Sequence, residues 1–217
     1  MDASSEPPGS PAPPLLIACA LGIEHLALRK GARGGAPGPV TVLRTGMGPG
    51  NARRAVAHAL RGDGAATAVI ASGFCAGLTP GMHPGDVVVA GETRGPRGTT
   101  PCTGTDLLVE ALARAVPGRM VHTGPLTGTD HVVRGQERAE LAASGAIAAD
   151  MESAETLRTA LATGPRPVAA VRVVVDAPEH ELVRIGTVRG GISAFCVLRA
   201  VIPAFSEWHR SLLLPRR

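Results

Sequence analysis

Pro167 to Val175 (PVAAVRVVV) is the longest of several short apolar runs in this 217-residue chain, and these runs constrain the fold more than any other feature. Leu15 to Leu21 (LLIACAL), Ala65 to Ala71 (AATAVIA) and Val87 to Gly91 read the same way, while Val40 to Thr45 (VTVLRT) alternates. Runs of this length with no polar face belong to strands buried on both sides. Helical patterns lie between them, over about 51–61, 106–116, 134–143 and up to about 162. An amphipathic stretch over about 190–211 carries Ile192, Phe195, Leu198, Val201, Ile202 and Phe205 on one face, with a kink expected at Pro203. Strands alternating with helices predict a single α/β domain, three layers deep (α/β/α), around a central mixed, largely parallel sheet. That domain is expected over 14–217. The Pro/Ser-rich residues 1–13 read as a disordered tail.

Composition removes several classes. No apolar run reaches the roughly 18 residues of a membrane span, and the N-terminus lacks a basic region before an apolar core, so a cytoplasmic protein is expected. The net charge is +4 but aromatic content is only 2% with no tyrosine, which speaks against a single-strand nucleic-acid binder. The arginines are dispersed, with a smaller allowance for an anionic partner or a peripheral membrane contact. Cys19, Cys75, Cys102 and Cys196 are scattered without a C-x-x-C and read as buried thiols; Cys75 sits in an expected site loop. The glycines of Gly46-Met47-Gly48-Pro49-Gly50 are spaced wrongly for a dinucleotide fingerprint, and the next strand has no acid at its end for a ribose. No metal set is visible, and no cofactor is expected beyond water or inorganic phosphate as co-substrate.

The chemistry lies in three acids. Glu24, Glu152 and Asp176 each follow an expected central strand, and strand carboxyl ends in such sheets converge on one crevice. Two have a bland reading: Glu24 as a first-turn helix acid, and Glu152 as a dipole complement beside a capping Asp150. Together, without metal ligands, they fit glycosidic bond cleavage, which needs an acid on the leaving group, a base for water and stabilisation of a cationic sugar. Small residues over Ser72-Gly73-Phe74-Cys75-Ala76-Gly77-Leu78 let backbone approach a ligand, with Phe74 able to stack on a flat ring. The Gly/Pro/Thr-rich residues 92–104 read as a flap, Asp130 and His131 as pocket candidates, and His83 as a surface turn residue. Arg172, inside the longest apolar run, needs a partner if buried.

The motifs in order resemble the nucleoside phosphorylase and methylthioadenosine/S-adenosylhomocysteine nucleosidase superfamily. They are Ala20-Leu21-Gly22-Ile23-Glu24, Thr45-Gly46-Met47-Gly48, Ser72 to Leu78, Pro84-Gly85-Asp86, Asp150-Met151-Glu152-Ser153-Ala154, and Arg172 to Asp176. The wording is most similar to the hopanoid-associated branch. The resemblance implies that Asp176 protonates the purine at N7 and Glu24 activates water. It further implies that Met151 packs on the sugar and Glu152 accepts from its hydroxyls. Met47, Phe74, Cys75, Ala76, Gly77 and Val132 would line the substrate pocket. Val132 stands where the family usually has a phenylalanine, and Phe74-Cys75-Ala76-Gly77 where it has Ser-Ala-Gly-Gly, so methylthioadenosine specificity is not implied. What is implied is removal of adenine from adenosylhopane to give ribosylhopane. The alternatives are a methylthioadenosine or futalosine nucleosidase, a phosphate-dependent purine nucleoside phosphorylase, and, from another class, a non-catalytic nucleoside-binding module. The partner is then a purine nucleoside, here lipid-linked, with homodimer formation carried over from relatives.

Overall fold

A computed structural model describes residues 12–32, 37–62, 67–178 and 187–213, with backbone alone at 187–192. The expected tail, the middle of the 31–39 loop and Glu179-His180 lie outside the described residues, apart from its last positions in the case of the tail.

The elements in chain order are β1 (Leu15–Cys19), α1 (Gly22–Gly31), β2 (Val40–Arg44), α2 (Pro49–Ala59), β3 (Ala68–Gly77), β4 (Val87–Gly95) and β5 (Gly98–Pro101). Then follow α3 (Thr105–Ala115), β6 (Val121–Gly128), α4 (Gly135–Ala143), β7 (Ala148–Asp150), α5 (Ser153–Ala162), β8 (Val168–Asp176), α6 (Thr187–Ala200) and α7 (Ile202–Leu212). β8 runs parallel to β3 and antiparallel to β4, so both its edges are paired, and helices cover both its faces. Its alternation sorts the core. Ala169, Val171 and Val173 join one cluster with residues of α1, α3, α6 and α7; Val168, Ala170 and Val174 join another with Val56, Leu60, Leu157 and Ala160 of α2 and α5. Three layers result, as the alternating runs predict, and five of the eight strand pairings are parallel (β1–β2, β1–β3, β3–β8, β4–β6, β6–β7).

The sheet is not simply open. The last residues of β3 pair antiparallel with β7 (Ala76 with Ala149, Gly77 with Ala148), β7 pairs with β6, and β6 with β4. With β8 between β3 and β4, five strands form a closed ring, and β1 and β2 extend it on one side.

Four local expectations are corrected. Ser72 to Gly77 is the second half of β3 rather than a loop, because β8 and β7 supply its hydrogen-bond partners. Residues 92–104 are no flap: β4 continues to Gly95 and returns as β5 through a tight turn at Pro96-Arg97. Gly124 to Gly128 continues β6 alongside β4 and β7. The C-terminal stretch is two helices broken at Val201, not one kinked helix; Pro203 lies in the first turn of α7, where its missing N–H has no partner to lose. No helix among the described residues is long and apolar enough to cross a membrane.

Candidate active site

A cleft of about 170 Å³ opens at the β3, β7 and β8 ends. Glu24, Glu152 and Asp176 all line it, each carried by a different segment. Met47, Phe74, Cys75, Ala76, Met151 and Val132 line it too. Gly77 does not. It pairs with β7, and the space a Cβ would take there is filled by Met82.

Glu24 sits in the first turn of α1 and also lines the cleft. Its side chain is buried and folds back over the end of β1. Oε2 accepts from Ala20 N at 2.9 Å and Leu21 N at 2.8 Å, and Oε1 accepts from Phe74 N at 2.7 Å. A carboxylate offers about four lone-pair positions. Three are fixed by backbone, and one remains for a water.

Gly73 makes this approach feasible. Its φ of +147° is unfavourable for side-chain-bearing residues, and a Cβ there would lie 2.5 Å from Glu24 Oε1 and 2.7 Å from Arg172 Nη1. Glu24 and Arg172 therefore meet over a residue with no side chain. Arg172, 1% exposed, pairs with Asp150 and its Nε donates to Ser153 Oγ at 2.9 Å, while its Nη1 has no hydrogen-bond partner among the described residues. Asp150 in turn accepts from Ser153 N at 3.0 Å, but the N-cap of α5 is Glu152, so Asp150 is not the capping residue expected.

Glu152 closes another side of the cleft. Its Oε1 accepts from Gly48 N, 2.7 Å away at the start of α2. Burial pushes its carboxyl up to about 7, with Arg172 pulling the other way and Asp150 adding to the rise. Met151 lies beside it in the cleft.

Asp176 reaches the cleft through an irregularity. The β3–β8 register shifts after Cys75, which pairs with Val174 while Ala76 pairs with Asp176. The extra residue, Val175, breaks the alternation, so both Val175 and Asp176 line the cleft. Asp176 is buried but not alone: Arg138 Nη2 of α4 donates to its Oδ2 at 2.5 Å. Nothing in the local sequence marks Arg138, since its partner is distant in the chain and α4 reads as an ordinary surface helix.

The loop before α4 supplies Thr129, His131, Val132 and Val133 to the wall. His131 Nδ1 lies 2.6 Å from Asp130 Oδ1 and its Nε2 2.9 Å from Glu137 Oε2. Hydrogen bonding to Asp130, then to Glu137, raises its affinity for a proton. Asp130 borders an adjoining groove instead, which shares Thr129, His131 and Met151 with the cleft and runs past Arg53 and Arg97. His83 is exposed, as expected. Cys75 is buried in β3 and burial drives its thiol far up, which makes it a filler; Cys196 is exposed, against expectation.

A family model of the phosphorylase superfamily matches residues 24–189, most of the chain. No functionally curated protein gives a significant sequence match. Among solved structures, the chain is similar to 5′-methylthioadenosine/S-adenosylhomocysteine nucleosidase from Neisseria meningitidis in complex with methylthio-immucillin-A (TM-score 0.73, 21% identity, 91% of this chain and 99% of that one). S-adenosylhomocysteine nucleosidase from Streptococcus pyogenes aligns with a TM-score of 0.74 at 15% identity, over 94% and 98% of the two chains. A futalosine hydrolase mutant from Helicobacter pylori aligns with a TM-score of 0.72 at 14% identity, over 93% and 100%. At these identities the likeness is one of fold.

Proposed function

The chain belongs to the phosphorylase superfamily, and on that premise we propose that it hydrolyses the N-glycosidic bond of a purine nucleoside. The observation that carries this reading is the convergence of Glu24, Glu152 and Asp176 on one cleft from three segments. The structural relatives named as nucleosidases and as a futalosine hydrolase support the same reaction class.

In this reading the purine lies between Phe74 and Val132 with N7 toward Asp176. Asp176, protonated, gives its proton to N7 as the C1′–N9 bond breaks and the electron pair passes to the base. Glu152 accepts from the ribose hydroxyls, and Met151 covers the sugar. The one free position on Glu24 takes a proton from water as the water oxygen bonds to C1′. A carboxylate held by three backbone N–H groups needs no rearrangement to do this. Water is preferred to phosphate as nucleophile because the buried Arg172 pairs with Asp150 and does not line the cleft, while the first loop offers the carboxylate of Glu24.

For the substrate we infer adenosylhopane, giving adenine and ribosylhopane. Support comes from the resemblance of the motifs and from the apolar rim. Met47 and Val132 line the cleft while 53% and 51% exposed, and Ile23 and Leu26 on the outer face of α1 are 49% and 46% exposed. A large apolar 5′ substituent would cover such a rim.

The test is base release by chromatography from adenosylhopane, methylthioadenosine and futalosine, each with and without phosphate. Adenine from adenosylhopane without phosphate is expected, with loss of about 100-fold or more in Asp176→Asn. Base from only a small nucleoside would sink the lipid substrate. Strict phosphate dependence would make the enzyme a phosphorylase.

A further inference from the structure

Arg138 is the charged residue that this chemistry leaves without a task. It is buried on α4 and joined to Asp176 by a single bond, from Nη2 to Oδ2 at 2.5 Å. Its Nε and Nη1, and the other carboxylate oxygen, Asp176 Oδ1, have no hydrogen-bond partner among the described residues. A guanidinium and a carboxylate commonly pair through two parallel bonds. Such a pair would occupy both oxygens of Asp176 and leave none to carry a proton to a ligand. The one-point contact divides the carboxylate: Oδ2 belongs to arginine, and Oδ1 is left buried and unpaired in a residue that lines the cleft.

We propose that Arg138 is a positioning residue for the leaving-group acid, fixing Asp176 through Oδ2 so that Oδ1 is the oxygen that protonates the purine. This rests on the reading of Asp176 as that acid. The proton leaves Oδ1 for N7, the C1′–N9 electron pair goes to the base, and the carboxylate that remains is stabilised by the guanidinium at Oδ2. Water completes the reaction by bonding to C1′ and passing a proton to Glu24, and solvent returns the proton to Asp176 between turnovers. Arg172 cannot substitute, being engaged with Asp150 and Ser153. The neighbouring position on α4 serves the same wall of the cleft: Glu137 holds His131, which lines it. The first turn of α4 thus supports both the acid and the side of the pocket.

The experiment compares the full chain as wild type, Arg138→Met and Arg138→Lys on two substrates. One is a purine nucleoside that the wild type cleaves. The other is the 4-nitrophenyl glycoside of the same sugar, whose leaving group departs as a stable anion without needing a proton. Arg138→Met is expected to lower kcat on the nucleoside by about 100-fold, with KM changed only a few-fold, and to leave the 4-nitrophenyl glycoside within a few-fold of wild type. Arg138→Lys keeps one cationic donor for Oδ2 and is expected to recover most of the nucleoside rate. Equal losses on both substrates would overturn the proposal in favour of a purely structural role. An unchanged nucleoside rate in Arg138→Met would overturn it too. If Arg138→Met does not fold, Arg138→Gln, which keeps a donor without the charge, replaces it under the same criteria. Wild type that releases no base from any nucleoside would instead refute the underlying reaction, a different result from either.

Discussion

Glu152 is a residue whose position costs stability and serves binding. Burial lifts its carboxyl to about 7 from an ordinary value of 4.5. Between those two values the unfolded chain has released the proton and the folded protein still holds it. The folded state binds more protons there, so stability falls as pH rises from about 4.5 to 7 and is level above that window. Glu152→Gln removes the titration. Its melting temperature is expected to gain on wild type as pH rises from 5 to 8, while its KM for nucleoside increases; a parallel pair of melting curves across that range would contradict this origin. The same variant separates binding from the acid, since Asp176→Asn should instead lower kcat. Gly73→Ala acts on the other side of the cleft. Its Cβ would meet Glu24 and Arg172 side-chain atoms at under 3 Å. A loss of about 1–3 kcal/mol, as in other overpacked interiors, is expected from urea unfolding, together with loss of base release.

At the scale of elements, α7 offers the clearest probe. Phe205 and Trp208 are fully buried, and Trp208 Nε1 donates to Thr103 O at 2.8 Å, tying the helix to the segment before α3. Trp208 is the single tryptophan and there is no tyrosine, so intrinsic emission reports this contact directly. His209, next to it, is buried with neither ring nitrogen hydrogen-bonded among the described residues. Burial lowers its affinity for a proton below the ordinary 6.5. As pH falls through that value the unfolded chain takes up a proton and the folded one does not, so stability drops in acid. His209→Leu should flatten that drop, and wild-type Trp208 emission should shift to the red in acid before the variant's does. Identical acid transitions would assign the effect elsewhere.

The helices and buried strands were readable because their patterns are local: β8 and its neighbours are short apolar runs, and α2 opens at a proline. Ser72 to Gly77 was not readable as strand because its small residues have little strand preference of their own; β7 and β8 impose it. The break at Val201 follows from proline chemistry, but its exact place depends on how α6 and α7 pack. The three acids of the site were legible from where each stands after an apolar run. Arg138 was not, because a charged helix residue becomes a buried partner only through a contact made far along the chain, and Val175 gives no sign in the sequence that it is the extra residue which turns Asp176 into the cleft.

For the molecule as a whole, the closed ring β3–β8–β4–β6–β7 sets the order in which it opens. β8 and β3 are bonded on both sides and covered by helices on both faces, whereas β2 pairs only with β1 and its residues are half-buried or exposed. Native-state amide exchange should be slowest in β3 and β8 and faster in β2 and β5. Protection of β2 equal to that of β8 would show that something else covers this edge. The cleft lies against the most protected strands, so its acids should stay in place while the edges open and close.

The empty Cβ position at Gly73 also constrains how this site can change over generations. Glu24 and Arg172 occupy the space that any other residue at 73 would claim, so the three positions are not free to vary singly. Gly73→Ala should be harmful when Glu24 and Arg172 are present and only partly relieved beside Glu24→Ala, because Arg172 Nη1 at 2.7 Å and the positive φ still oppose it. A lineage abandoning the chemistry must lose the glutamate or the arginine before the glycine can drift. The order of loss is therefore written into the geometry: a descendant that has a side chain at 73 has already given up one of the two charges, and simple reversion of that charge no longer restores the enzyme.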